Sequence, residues 1–228
     1  KRDKKVLDKT LYSNHGSIEM KLLLENWREY LNEGMKNPAD IPDHAYVAIE
    51  VTTHGETQFV DFYYADKEGN EAHHYPTGLI TIRQPSEGTR FNWSGEPEKD
   101  GACSGAWILV SSEASRGWGP LLYDVAIEWA SMNGKGLTSD RHSVSAQARA
   151  VWDYYLNKRG DVIDYQLDDL ENTLTNTEDD NCDQQSAYAG SSDWQESPLS
   201  KKYTKAPTTI AQLEKMGKLI DRTKTPKL

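Results

Sequence analysis

The segment from Ser104 to Gly134 constrains the fold more than any other part of the chain, because an apolar run, a glycine turn and an amphipathic run follow one another without a linker. "SGAWILVSS" is short enough for a buried strand. "SRGWGP" then opens a helix, and Pro120 suits the first helical turn because its missing N–H breaks no internal bond. Leu122, Val125, Ala126 and Trp129 follow on one helical face, and Asn133-Gly134 predicts a left-handed stop. "GLTSD" (136–140) reads as a brief strand. Ala148, Val151, Trp152 and Tyr155 share one face of a second helix capped by Ser143 or Ser145, and "VIDYQL" (162–167) alternates as a last strand. Strand, helix, strand, helix, strand predicts an α/β core.

Upstream, "AYVAIEV" (45–51), "TQFVDFYY" (57–64) and "GLITIR" (78–83) predict an antiparallel meander, followed by a polar insert from Gln84 to Gly101. Nearer the start, Ser17 caps a helix carrying Met20, Leu23, Leu24, Trp27 and Leu31, with Gly34 as its stop. From Asp168 to Glu196 the chain has acidic residues and no Lys or Arg, which reads as a solvated extension. Thr209 to Ile220 then forms a short amphipathic helix with a Thr209/Gln212 capping box and Ile210, Leu213, Met216 and Ile220 along one side. A hydrophobic share of 36% agrees with part of the length lying outside the core. The chain thus divides into an N-terminal arm and helix (1–40), a mixed-sheet α/β (α+β) domain (41–167) and a polar extension (168–228). That extension is expected to add little to the core and to dock on partner protein chains.

A formal net charge of −10 argues against broad nucleic-acid or anionic-membrane binding and points to proteins or small molecules as partners. The two cysteines, Cys103 and Cys182, lie far apart in unlike contexts. Neither a disulfide nor a thiolate metal site is expected from them, so a reducing, cytoplasmic compartment fits. No apolar run approaches the ~18 residues of a membrane span. The opening residue, Lys1, reads as the start of a processed product or of a partial sequence.

A strand that ends in a glycine turn and opens a helix points several unpaired N–H groups at one spot, where the helix dipole favours negative charge. Gly117 and Gly119 would let a phosphate approach the backbone, with Arg116 as a cation beside it. The structural alternative is a tight connection in which Trp118 packs on the sheet. Glu113, Asp140, Arg141 and His142 fall near the carboxyl ends of strands, where α/β sheets form sites, and each is a candidate base or a solvated loop residue. Asp140-Arg141 also reads as a structural ion pair. His73 and His74 are adjacent, so on a strand they would face opposite sides, and no metal site is expected.

Residues 103–167, and "SRGWGPLLYDVAIEW" within them, resemble the core of the GNAT acetyltransferase family, similar to members encoded by tailed phages. Gly117 and Gly119 match the glycines of its Gln/Arg-x-x-Gly-x-Gly/Ala element, and Leu122 matches a helix leucine. The resemblance implies that the amides around Arg116, Gly117, Trp118 and Gly119 hold the pyrophosphate of acetyl-coenzyme A. It implies too that the preceding strand splays from the next, so that Ala106 to Ser111, including Leu109, Val110 and Ser111, line the thioester. The implied reaction is acetyl transfer to an amine, with Glu113 among the candidate bases and Tyr155 or Tyr154 protonating the departing thiolate. The sequence departs from the pattern at Ala114, where Gln or Arg is usual, at Pro120, and in lacking an obvious final strand. Ala114 and the long tails support an alternative, a catalytically silent GNAT-like module serving as a virion or assembly component.

Overall fold

A computed structural model describes residues 34–85, 90–91, 97–98, 103–141, 143–167, 182 and 196–223. The helix predicted from Ser17 lies outside the described residues. Strands β1 (Tyr46–His54) and β2 (Thr57–Ala65) pair in full register around Gly55-Glu56, with Gly55 at φ 63° in the left-handed backbone that a hairpin turn demands. β3 (Gly78–Arg83) continues the meander. Inside the predicted polar insert, β4 (Arg90–Phe91) and β5 (Pro97–Glu98) form a separate two-stranded ribbon. β6 (Trp107–Ala114) pairs antiparallel with β3 and leads into helix α1 (Gly119–Asn133). The chain goes on through β7 (Leu137–Thr138), α2 (Ala146–Lys158) and β8 (Val162–Gln166), then β9 (Lys201–Lys205), α3 (Thr208–Lys215) and β10 (Leu219–Asp221).

The main sheet runs β10-β1-β2-β3-β6-β7-β9-β8, with β1–β10 and β6–β7 parallel and its other pairs antiparallel. This is a mixed α/β fold, as the element order predicts. Alternation along the strands places Val47 and Ile49, Val60, Phe62 and Tyr64, and Ile80 and Ile82 in one buried cluster with Leu121, Leu122, Val125 and Trp129 of α1. Ser145 caps α2 by accepting from the Ala148 N–H, which settles the choice between Ser143 and Ser145. Gly134, predicted to end α1 in a left-handed turn, is extended instead at φ −169°. Among the described residues no helix is long and apolar enough to cross a membrane.

Residues 196–223 do not lie outside the core. β9 inserts between β7 and β8, and Tyr203 on it is fully buried and stacks on Trp152 of α2. The sequence pattern predicts no strand at these residues. "KKYTK" conceals a buried strand because its inward Lys205 is paired with Glu128 of α1, so a polar composition satisfies a core position. The predicted helix ends early: Gly217, at φ 66°, turns the chain into β10, so Ile220 belongs to a strand and Met216 is exposed. Nor does Thr209 cap α3, which has no side-chain cap of its own first turn. The carboxylate of Glu128 accepts from the Thr209 and Ile210 N–H groups at 2.8 Å each and serves as the cap from a neighbouring helix.

The cysteines are also paired. Cys103 and Cys182 form a disulfide, both fully buried in a cluster with Ala106, Ile108 and Leu167. Their separation of 79 residues hid the pairing, since only the folded sheet brings the start of β6 to residue 182. The expectation of a reducing compartment rested on unpaired thiols and loses that ground.

Candidate functional site

β6 and β7 run side by side only at Trp107↔Leu137 and Ile108↔Thr138; β7 then ends while β6 continues to Ala114. Beyond the divergence the side chains of β6 change character. Trp107, Ile108 and Leu109 are buried, whereas Val110, Ser111, Ser112, Glu113 and Ala114 are exposed.

A β-bulge falls at the same place. Thr81 pairs with Ser111 and Ile82 with Leu109, so Val110 has no partner on β3. The extra residue changes the phase of the strand. Leu109 packs in the α1 cluster, and Ser112, three positions on, faces α1 as well: its Oγ lies 2.8 Å from the Tyr123 hydroxyl. By alternation Glu113 points to the other face of the sheet. The candidate base Glu113 and the tyrosines of α1 and α2 therefore stand on opposite sides.

At the end of β6 the chain turns through Ser115 to Trp118, closed by the Trp118 N–H donating to the Ser115 carbonyl at 3.0 Å. Ser115 Oγ accepts from the Thr77 N–H at 2.9 Å and meets Thr77 Oγ1 at 2.8 Å, which ties the turn to the entry of β3. Gly117 adopts φ 83°, a left-handed conformation that favours glycine, and its carbonyl accepts from the Lys36 N–H at 3.1 Å. Trp118 is buried edge-on to Tyr64 and Tyr75, as the packing alternative anticipates; its carbonyl accepts from the Tyr64 hydroxyl at 2.8 Å, and Gly117 and Gly119 on either side are buried as well. The start of α1 carries Pro120 and no side-chain cap. Arg116 beside it is exposed.

Tyr155, the first candidate proton donor, is buried, and its hydroxyl donates to Asp124 Oδ1 at 2.9 Å and to the Pro120 carbonyl at 3.2 Å. Burial, then the Asp124 carboxylate, push its pKa well above the usual tyrosine value. Tyr154 is half-buried and edge-on to Tyr155, and burial raises its pKa too. Burial likewise raises the Asp124 carboxyl, although Arg159 sits 2.8 Å away and opposes the shift. Arg159 also binds Asp161, whose carboxyl its hydrogen bond holds down at about 2. Asp161 in turn lies 3.5 Å from Lys205. Tyr155 thus begins a charged network that locks α1, α2, the α2–β8 loop and β9 together.

The remaining candidates are structural or separate. Asp140 accepts from the Ser143 N–H at 2.8 Å. Arg141 is fully buried and donates to Thr138 Oγ1 and to the carbonyls of Leu199 and Cys182. His142 lies outside the described residues. His73 and His74 are exposed in a loop, and no group of three His, Cys, Asp or Glu suited to a metal occurs among the described residues. Sequence reasoning missed Ser112, Tyr123 and the Val110 bulge. Tyr123 falls among the apolar residues of α1 and reads as core, and a bulge leaves no mark in a single strand's pattern.

No protein-family model, curated protein or solved structure matches the chain.

Proposed function

We propose that this protein is a GNAT-like acyltransferase that binds acetyl-coenzyme A along the exposed half of β6 and transfers the acetyl group to an amine. The observation that carries the reading is the early divergence of parallel strands β6 and β7, where β6, paired only with β3, runs on without β7 into a glycine turn at the start of a helix. A pantetheine arm is an extended chain with amide groups, and a strand edge without a neighbour offers it backbone partners. The pyrophosphate would then meet the first amides of α1, with Arg116 beside it. β9 provides the closing strand that the resemblance calls for.

Calorimetry and thermal shift with acetyl-coenzyme A test this reading. Binding heat and a raised midpoint are expected at millimolar ligand, and a Gly119→Val variant, which sets a branched side chain at the buried helix start, should lose both. Absence of either signal in the parent protein would remove the coenzyme reading.

Two observations favour the second reading, a catalytically silent module that contacts partner chains in a virion or other assembly. The Tyr155 hydroxyl is already engaged by Asp124 and Pro120, and Ala114 departs from the family's usual Gln or Arg. Coenzyme binding without turnover on any amine would select it. Partner contacts would then fall outside the packed residues 196–223.

A further inference from the structure

Tyr123 has two properties that Tyr155 lacks. Its hydroxyl reaches the stretch of β6 left without β7, and its partner there, Ser112 Oγ at 2.8 Å, belongs to an exposed residue. The bulge at Val110 creates this meeting, because without the extra residue Ser112 would face away from α1. The phenol ring itself is buried, held edge-on by Trp152 at 5.8 Å and against Tyr155 at 5.9 Å. Trp152, wholly buried on α2, has an indole N–H with no hydrogen-bond partner among the described residues. A rigid hydroxyl, an exposed hydroxyl in contact with it and an orphaned donor beside its ring thus lie next to the strand divergence.

We propose, resting on the acyl-transfer reading above, that Tyr123 is the group that meets the coenzyme sulfur and protonates it as the thioester breaks, with Ser112 renewing the proton. The amine nitrogen forms the new C–N bond with its lone pair, and the C–S bond breaks with its electron pair going to sulfur. The Tyr123 proton passes to that sulfur. Tyr123 takes the Ser112 hydroxyl proton, and Ser112 takes the proton that the acylated nitrogen must lose. One thioester and one amine become one amide and one thiol. Burial raises the Tyr123 pKa to about 12, so the phenol is protonated at neutral pH.

The test needs no acceptor. Coenzyme A and desulfo-coenzyme A differ only at the sulfur, and their affinities can be compared by calorimetry. The parent protein should favour coenzyme A by about fivefold, the worth of one hydrogen bond. Tyr123→Phe keeps the ring that packs on Trp152 and should bind both ligands alike. Ser112→Ala changes an exposed side chain, provides a second variant if Tyr123→Phe does not fold, and should reduce the preference at least about twofold by freeing the phenol to rotate. A preference absent in the parent, or undiminished in both variants, would overturn the role of Tyr123 while leaving coenzyme binding intact. Failure of the parent to bind either ligand would instead remove the acyl-transfer reading, and this inference with it.

Discussion

Glu128 on α1 and Lys205 on β9 form a buried ion pair between residues 77 positions apart, and the same carboxylate accepts the first N–H groups of α3. Thr208 and Thr209 add their hydroxyls to the cluster. One side chain therefore neutralises a buried ammonium and closes a helix end. Glu128→Gln should cost about 3–5 kcal/mol, because it leaves the buried Lys205 ammonium with only the solvent-exposed Asp161 carboxylate at 3.5 Å to balance it. Denaturant melts measure this, and a loss below about 1 kcal/mol would show that solvent reaches the pair.

The disulfide makes a second expectation concrete. Closing a loop of this length limits the unfolded chain, and its loss should lower stability by about 4 kcal/mol. Melting with and without a reductant, together with peptide mapping of the Cys103–Cys182 link, checks it. Equal midpoints in both conditions, or free thiols in the native protein, would contradict the pairing.

Removing residues 196–223 should unfold the domain, since it strips β9 from between two strands and α3 from α1. A milder version is Tyr203→Ala. Tyr203 is fully buried, stacks on Trp152 at 5.1 Å and donates to the Pro198 carbonyl, so the truncation should cost about 3–5 kcal/mol. Circular dichroism of the deleted chain that matches the parent would refute this placement.

Alkaline pH should destabilise the fold through Tyr123. Its pKa rises from 10.0 to about 12 because burial disfavours the phenolate. The native state therefore holds a proton that the unfolded chain releases above its ordinary value. The stabilisation is present below pH 10 and falls away as the pH rises toward about 12. Thermal midpoints across that window should drop less steeply for Tyr123→Phe than for the parent, and parallel curves would count against the shift.

Tyr155→Phe removes the donor that serves Asp124 and the Pro120 carbonyl. A loss of about 1–3 kcal/mol is expected, with coenzyme affinity unchanged. A variant of parental stability with impaired turnover would return Tyr155 to the chemistry.

Local pattern alone determined the meander, the glycine turn and the two helices after it, because their apolar spacing and breakers are properties of neighbouring residues. Val125, Ala126 and Trp129 on one helical face, or Val60 and Phe62 on one strand face, need no distant partner to be read. The turn at Gly117 was legible for the same reason. The tertiary structure alone decided what β9 is, because Lys205 looks solvated until Glu128 meets it across 77 residues. It alone joined Cys103 to Cys182 and moved the cap of α3 from Thr209 to Glu128. The Val110 bulge belongs to this second class as well. The pairing of β6 with β3 sets which face each side chain takes, and that phase turns Ser112 toward Tyr123 and Glu113 away. A charge's cost, a thiol's partner and a strand's register are each set by what lies opposite in space, and sequence order does not carry that relation.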